Sequence, residues 1–298
     1  MSSRRSFVKQ STLAAAAVVA INPIRSFAGI STSVYDGNIS PARSLTIIHT
    51  GDLGGQFAPI ADGSPYEGLG GFKSIKEAVQ TIRKERKQVI LLDAGQMNES
   101  LFKHAAELKY DGIVQSASDK SIHQAVQDYQ LPVISHHPAG ITAGAAPYRI
   151  IQKGPIRVGI ISSYIEVGTA NPLLHADKIA TQLKHEKGCQ LVICLSNLGL
   201  NRAKRLNEYT LANHSSDIDV VIGSGSGVVM HAPTIIFNRH KQEVITNHAG
   251  FGGLVLGKID IQFNEEGNKI GVDFQNLVMG NSGHRWDGLP SSERSLMA

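Results

Sequence analysis

Ile218-Asp219-Val220-Val221-Ile222-Gly223-Ser224-Gly225-Ser226-Gly227 carries a short apolar, β-branched run straight into a loop of glycine and serine. The run reads as a β-strand and the loop as the turn that follows it. In open α/β sheets, ligands gather beyond the carboxyl ends of the strands, so this loop is a candidate site. Its backbone N–H groups could face an anion. It lacks the lysine and the following helix of a phosphate-binding loop, which argues against nucleotide binding by that route.

The same strand-to-loop arrangement recurs outward in both directions. Strands are expected at Ser44 to His49, Val89 to Leu92, Gly112 to Val114, Pro132 to Ser135 and Leu191 to Leu195. Tyr148 to Ile151 and Arg157 to Ser162 form a pair around Lys153-Gly154-Pro155. Helices are expected from Gly70-Gly71 to Arg86, around Leu101 to Leu108, and over Ile122 to Tyr129, Pro172 to Lys187 and Arg202 to Asn213. In the first of these, Phe72, Ile75, Val79 and Ile82 recur at helical spacing. From Thr234 the pattern turns to strands: Ile235 to Phe237, Glu243 to Thr246, Leu254 to Phe263 and Ile270 to Phe274. Strand–helix alternation followed by a strand run predicts an α/β sandwich, with mixed sheets packed together and helices outside.

Five loops stand out: His49-Thr50-Gly51-Asp52-Leu53-Gly54, Leu92-Asp93-Ala94-Gly95-Gln96, Ala117-Ser118-Asp119, Leu195-Ser196-Asn197-Leu198-Gly199 and Gly223-Ser224-Gly225-Ser226. With LGGFKSIKEAVQTIRKE, VILLDAG, LVICLSNLG, DIDVVIGSGSG and GGLVLGKIDIQF around them, Leu45 to Phe263 resembles the 5′-nucleotidase-like branch of the calcineurin-like metallophosphoesterases. The resemblance implies a four-layer αββα sandwich with a dinuclear metal site at the sheet edge. Two divalent ions there would activate water and clamp phosphate oxygens.

Carried over by position, the resemblance leaves most ligands missing. The first loop should read Asp-x-His; Asp52 is present and Gly54 replaces the histidine. The bridging aspartate becomes Gln96. The third loop should read Gly-Asn-His-Glu/Asp, and Ala117-Ser118-Asp119-Lys120 stands there. Ser-His becomes Ser196-Asn197, and the last Gly-His-x-His becomes Gly223-Ser224-Gly225-Ser226. Asp52 alone survives among the implied ligands. Lys120 adds a cation that repels metal. The expectation is a pseudoenzyme with no catalytic residues, no cofactor and no metal, Asp52 and Asp119 being the residual metal candidates.

Two alternatives would keep a metal. Asp52, Gln96, Asp119, Asn197, Ser224 and Ser226 could present oxygen to one divalent cation, Mg²⁺ or Ca²⁺. That alternative describes an active periplasmic phosphoester or nucleotide hydrolase with an atypical site. Relocated histidines are the other: His136-His137, His231 and His248. Adjacent residues on a strand point to opposite faces, so His136 and His137 cannot both enter one site from regular β geometry. His49 reads as a core histidine, and Asp93 as a structural acid under its loop.

Residues 1–28 read as a twin-arginine export signal. Ser3-Arg4-Arg5-Ser6-Phe7-Val8-Lys9 precedes an apolar stretch and the small-x-small site Ser26-Phe27-Ala28. The stretch is too short for a stable anchor. Those 28 residues hold four bases, Arg4, Arg5, Lys9 and Arg25, and no acid. Without them the 29 bases fall to 25, equal to the 25 acids, so no nucleic-acid partner is implied. Cys189 and Cys194 would lie on the order of 16 Å apart at strand rise and read as free thiols. Residues 29–280 are expected to form one domain and 281–298 a polar tail. Family members usually continue into a nucleoside-gripping domain. The expected partner is therefore a protein, either an active paralogue or a separate substrate domain, with a small anion in the vacated cleft as the other binding role.

Overall fold

In the computed structural model, which describes residues 43–61, 63–114, 120–135, 145–164, 171–201 and 204–280, strand and helix alternate as the apolar pattern predicts. In chain order the elements are β1 (Ser44–Thr50), α1 (Phe72–Glu85), β2 (Val89–Asp93), α2 (Phe102–Leu108), β3 (Gly112–Val114), α3 (Lys120–Tyr129), β4 (Val133–Ile134), β5 (Tyr148–Lys153), β6 (Ile156–Ser163), α4 (Pro172–His185), β7 (Leu191–Ser196), α5 (Glu208–His214), β8 (Val220–Gly223), β9 (Thr234–Phe237), β10 (Glu243–His248), β11 (Val255–Phe263) and β12 (Lys269–Val278).

The strands form two six-stranded mixed sheets, ordered β12-β11-β1-β2-β3-β4 and β5-β6-β7-β8-β10-β9. In each, four neighbouring strands run parallel and antiparallel strands close the sheet: β11 and β12 in the first, β5 and β9 in the second. Strands such as β1, β2 and β7 are buried on both faces, as parallel strands covered on each side must be.

Three apolar clusters define four layers. Leu45, Ile47, Ile90 and Leu92 of the first sheet meet Val158, Ile160, Leu191, Ile193 and Val220 of the second. The opposite face of the first sheet packs Ile48, Leu91 and Ile113 on α1, α2 and α3 through Phe72, Ile75, Phe102 and Ile122. The opposite face of the second packs Ile161, Val192, Cys194 and Val221 on Ala176, Ala180 and Leu183 of α4 and Leu211 of α5. This is the expected αββα sandwich. Cys189 and Cys194 are both free and buried, and burial pushes the Cys194 thiol up.

Local chemistry sets the element ends. Asn171 caps α4 by accepting the Leu173 N–H, with Pro172 at the first helical position. β5 and β6 pair as a hairpin around Gly154-Pro155. The helix expected from Arg202 begins only at Glu208. The reason is a capping box: Asn207 accepts the Thr210 N–H at 2.9 Å and Thr210 Oγ1 accepts the Asn207 N–H at 3.1 Å. β12 runs on to Val278, past the expected end at Phe274, because β11 supplies a partner as far as Val255. Among the described residues no helix is long and apolar enough to cross a membrane. The export signal, Ser118, Asp119, His136-His137 and the tail lie outside the described residues.

Candidate functional site

The parallel strands of both sheets end at the same edge of the sandwich, and the loops there stitch to one another. Asp52 follows β1 and takes up left-handed backbone, φ 51°, as does Gln96 after β2, φ 63°. Residues other than glycine adopt that region uncommonly. The two loops zip together through Asp52 N–H to Gly95 O at 3.0 Å, Gly54 N–H to Gln96 O at 2.8 Å and Asn98 N–H to Gly54 O at 2.8 Å. Gly54 therefore joins two loops through its backbone. The Gln96 side chain is exposed.

Asp52 also reaches the second sheet. Its Oδ1 accepts the Gly225 N–H at 2.7 Å and its Oδ2 the Gly227 N–H at 3.0 Å. Both oxygens thus hold the loop after β8. Ser224 makes a second stitch: its buried hydroxyl donates to Ala94 O at 2.7 Å, with Ser196 O at 3.3 Å. Asn197 packs against this loop, its Oδ1 only 1.9 Å from where a Cβ on Gly225 would stand. Any side chain at 225 would displace it.

These residues do not fit a dinuclear metal site. Asp52 already binds amide donors with both oxygens, the Ser224 hydroxyl faces carbonyls, and Gln96 is neutral. Among the described residues no group of three or more His, Cys, Asp or Glu converges as a metal site. So the structure brings Asp52, Gly54, Gln96, Asn197, Ser224 and Ser226 to one edge and gives Asp52 and Ser224 the work of fastening loops.

Asp93 is buried beneath this edge. Thr50 Oγ1 donates to it at 2.6 Å and the Gly95 N–H at 2.9 Å. Burial raises its pKa to about 7, against the two hydrogen bonds, which lower it, and with the Asp52 charge adding a little. It is the structural acid the sequence suggested. His49 is fully buried, its Nε2 2.8 Å from Asn247 Nδ2. Burial, then the neighbouring His248, lower its pKa to about 3.

One constellation has no signature in the sequence pattern. His248 ends β10 beside Gly223 of β8 and is 1 % exposed. Its Nε2 meets a carboxylate oxygen of Glu208, which is fully buried, and its Nδ1 lies 3.3 Å from Ser226 Oγ. The other Glu208 oxygen accepts the Gly199 N–H at 3.2 Å. A Cβ at Gly223 would stand 2.0 Å from His248 Nε2 and 2.4 Å from Glu208 Oε2, so glycine there makes room for the pair. His231, the other histidine considered for this edge, is exposed.

Comparison with known proteins agrees with this architecture. No family model matches the chain. It is 24 % identical to human 5′-nucleotidase over 294 aligned residues, which cover 81 % of this chain and 50 % of the human protein. A 5′-nucleotidase precursor from Thermus thermophilus superposes with a TM-score of 0.67 at 20 % identity, covering 80 % of this chain and 55 % of the other. A calcineurin-like phosphoesterase from Bacillus subtilis gives 0.60 at 15 % identity, over 80 % and 91 %. The fold is that of the calcineurin-like phosphoesterases, and the resemblance to their 5′-nucleotidase-like branch holds. The chain spans about half the length of the curated relative it matches.

Proposed function

We propose that this chain is an exported binding protein that keeps the 5′-nucleotidase-like fold and has lost metal-dependent phosphoester hydrolysis. The observation that carries the reading is the use of Asp52, whose two oxygens each hold a backbone N–H of the loop after β8. A hard cation needs carboxylate oxygens as ligands. Here it would have to strip the donors from the one acid retained at the implied ligand positions of the described loops. Residues 1–28 direct the chain out of the cytoplasm by the twin-arginine route. The partner is a protein, an active paralogue or a separate substrate domain. Ile235 and Phe237 on β9 and Ile270 and Phe274 on β12 are exposed apolar side chains on outermost strands, which suits protein contact.

The test is metal content by mass spectrometry on protein purified without chelators, with nucleotide and phosphodiester assays under added Mn²⁺, Mg²⁺, Ca²⁺ and Zn²⁺. The expected result is substoichiometric metal and no turnover, while Asp52→Ala lowers stability by about 1–3 kcal/mol through loss of its hydrogen bonds. Stoichiometric metal, with turnover that Asp52→Ala abolishes at unchanged stability, would overturn the reading.

A further inference from the structure

We propose that Ser226, His248 and Glu208 form a metal-independent nucleophilic site for acyl chemistry on carboxylic esters. This goes beyond the binding role, and either can stand without the other. The chemistry of these three residues turns on the tautomer of His248. With a Glu208 oxygen as acceptor, the ring nitrogen facing it, Nε2, is the donor. In the neutral ring, Nδ1 then presents its lone pair to the Ser226 hydroxyl, 3.3 Å away. Nucleophile, base and orienting carboxylate are thus in series, which is the arrangement that activates a serine. The ring is turned relative to the usual relay, with Nδ1 rather than Nε2 toward the hydroxyl. Relays of this kind are identified by geometry and role.

Burial supports the assignment. His248 and Glu208 are withdrawn from water, whereas Ser226 is exposed at the loop edge, so the reacting atom is the accessible member of the three. A buried carboxylate demands partners, and Glu208 gives one oxygen to the Gly199 N–H and the other to the imidazole. The ring is therefore held from behind. Gly223 admits the pair by lacking a Cβ.

In the proposed step Ser226 Oγ attacks the ester carbonyl carbon while its proton passes to His248 Nδ1. The tetrahedral species expels the alkoxide, which takes the proton from His248, leaving an acyl-serine. Water then attacks the acyl carbon, giving a proton to His248 that returns to Ser226 Oγ as the carboxylic acid departs. Glu208 is a positioning residue throughout. The N–H groups of Gly225 and Gly227 are held by Asp52 rather than turned toward an oxyanion. Turnover is accordingly slow, and the covalent adduct is the better readout.

The experiment uses the full chain in EDTA with a fluorophosphonate probe. Ser226 Oγ forms the bond to phosphorus as fluoride leaves, and peptide mass spectrometry locates the adduct. The expected result is labelling at Ser226 that outpaces exposed Ser100 by at least tenfold and disappears in urea. Glu208→Gln should slow it about a hundredfold, since an amide donor facing Nε2 favours the wrong tautomer. Labelling of Ser226 no faster than of Ser100, or persisting equally in urea, overturns the proposal, and these readouts need no variant. So does unchanged labelling in a folded Glu208→Gln protein. Metal-dependent phosphoesterase activity would sink the binding role and leave this result standing.

Discussion

Asp93 and His49 pull the pH dependence of stability in opposite directions. Asp93 moves from a usual value of 3.8 to about 7 on folding, so the native state binds a proton the unfolded chain has released. Its contribution is full below pH 3.8 and is lost as pH rises to about 7. His49 falls from 6.5 to about 3, so the unfolded chain takes up a proton the native state refuses. Its contribution is present above pH 6.5 and is lost as pH falls toward 3. Between about pH 4 and 6.5 the two slopes oppose and nearly cancel. Asp93→Asn removes one of them. In urea melts the variant should lose on the order of 1 kcal/mol per pH unit on acidification through this window, relative to the wild-type chain. Parallel pH profiles for the two proteins would show that Asp93 is ionised in the native state. At this scale the sequence was only half legible. Asp93 under its loop and His49 in the core followed from local pattern. The meeting of His248 with Glu208 did not, because it depends on a cross-strand neighbour, Gly223, whose missing Cβ has meaning only once β8 and β10 lie side by side.

Among the elements, α5 shows how a boundary positions a buried carboxylate. The helix expected from Arg202 would place Glu208 in its middle. The capping box at Asn207 starts it at Glu208 instead and sets that carboxylate against β8 and β10. The cap was readable in principle from Asn207 and Thr210, but Thr at the third position is a weaker signal than Glu or Gln. Asn207→Ala should cost about 1 kcal/mol. A shift of the urea midpoint at unchanged slope checks it. A midpoint equal to that of the wild-type chain would mean the helix does not depend on this cap. Strands and long helices were more legible, since burial on both faces or along one stripe writes itself into several consecutive residues.

For the molecule as a whole, the middle layer is the decisive feature. Ile193 is buried where the sheets meet, while Ile235 on β9 is 40 % exposed. Ile193→Ala should cost about 2–5 kcal/mol, and Ile235→Ala no more than about 0.5 kcal/mol. Because the sheets share one apolar interior, circular dichroism and hydrogen exchange should report a single transition for both. Separate transitions would show that the sheets unfold independently. The layered architecture was legible because it needs only the order of apolar runs. The fastening of its loop edge was not, because a carboxylate in a metal ligand's place looks the same in sequence whether it holds an ion or an amide. Asp52 and Ser224 hold amide and carbonyl groups across the two sheets. On the proposed metal-free reading, a chain whose loop edge is closed by its own hydrogen bonds needs no loading step to mature. Its yield in the cell should therefore follow synthesis and be indifferent to starvation for zinc or manganese.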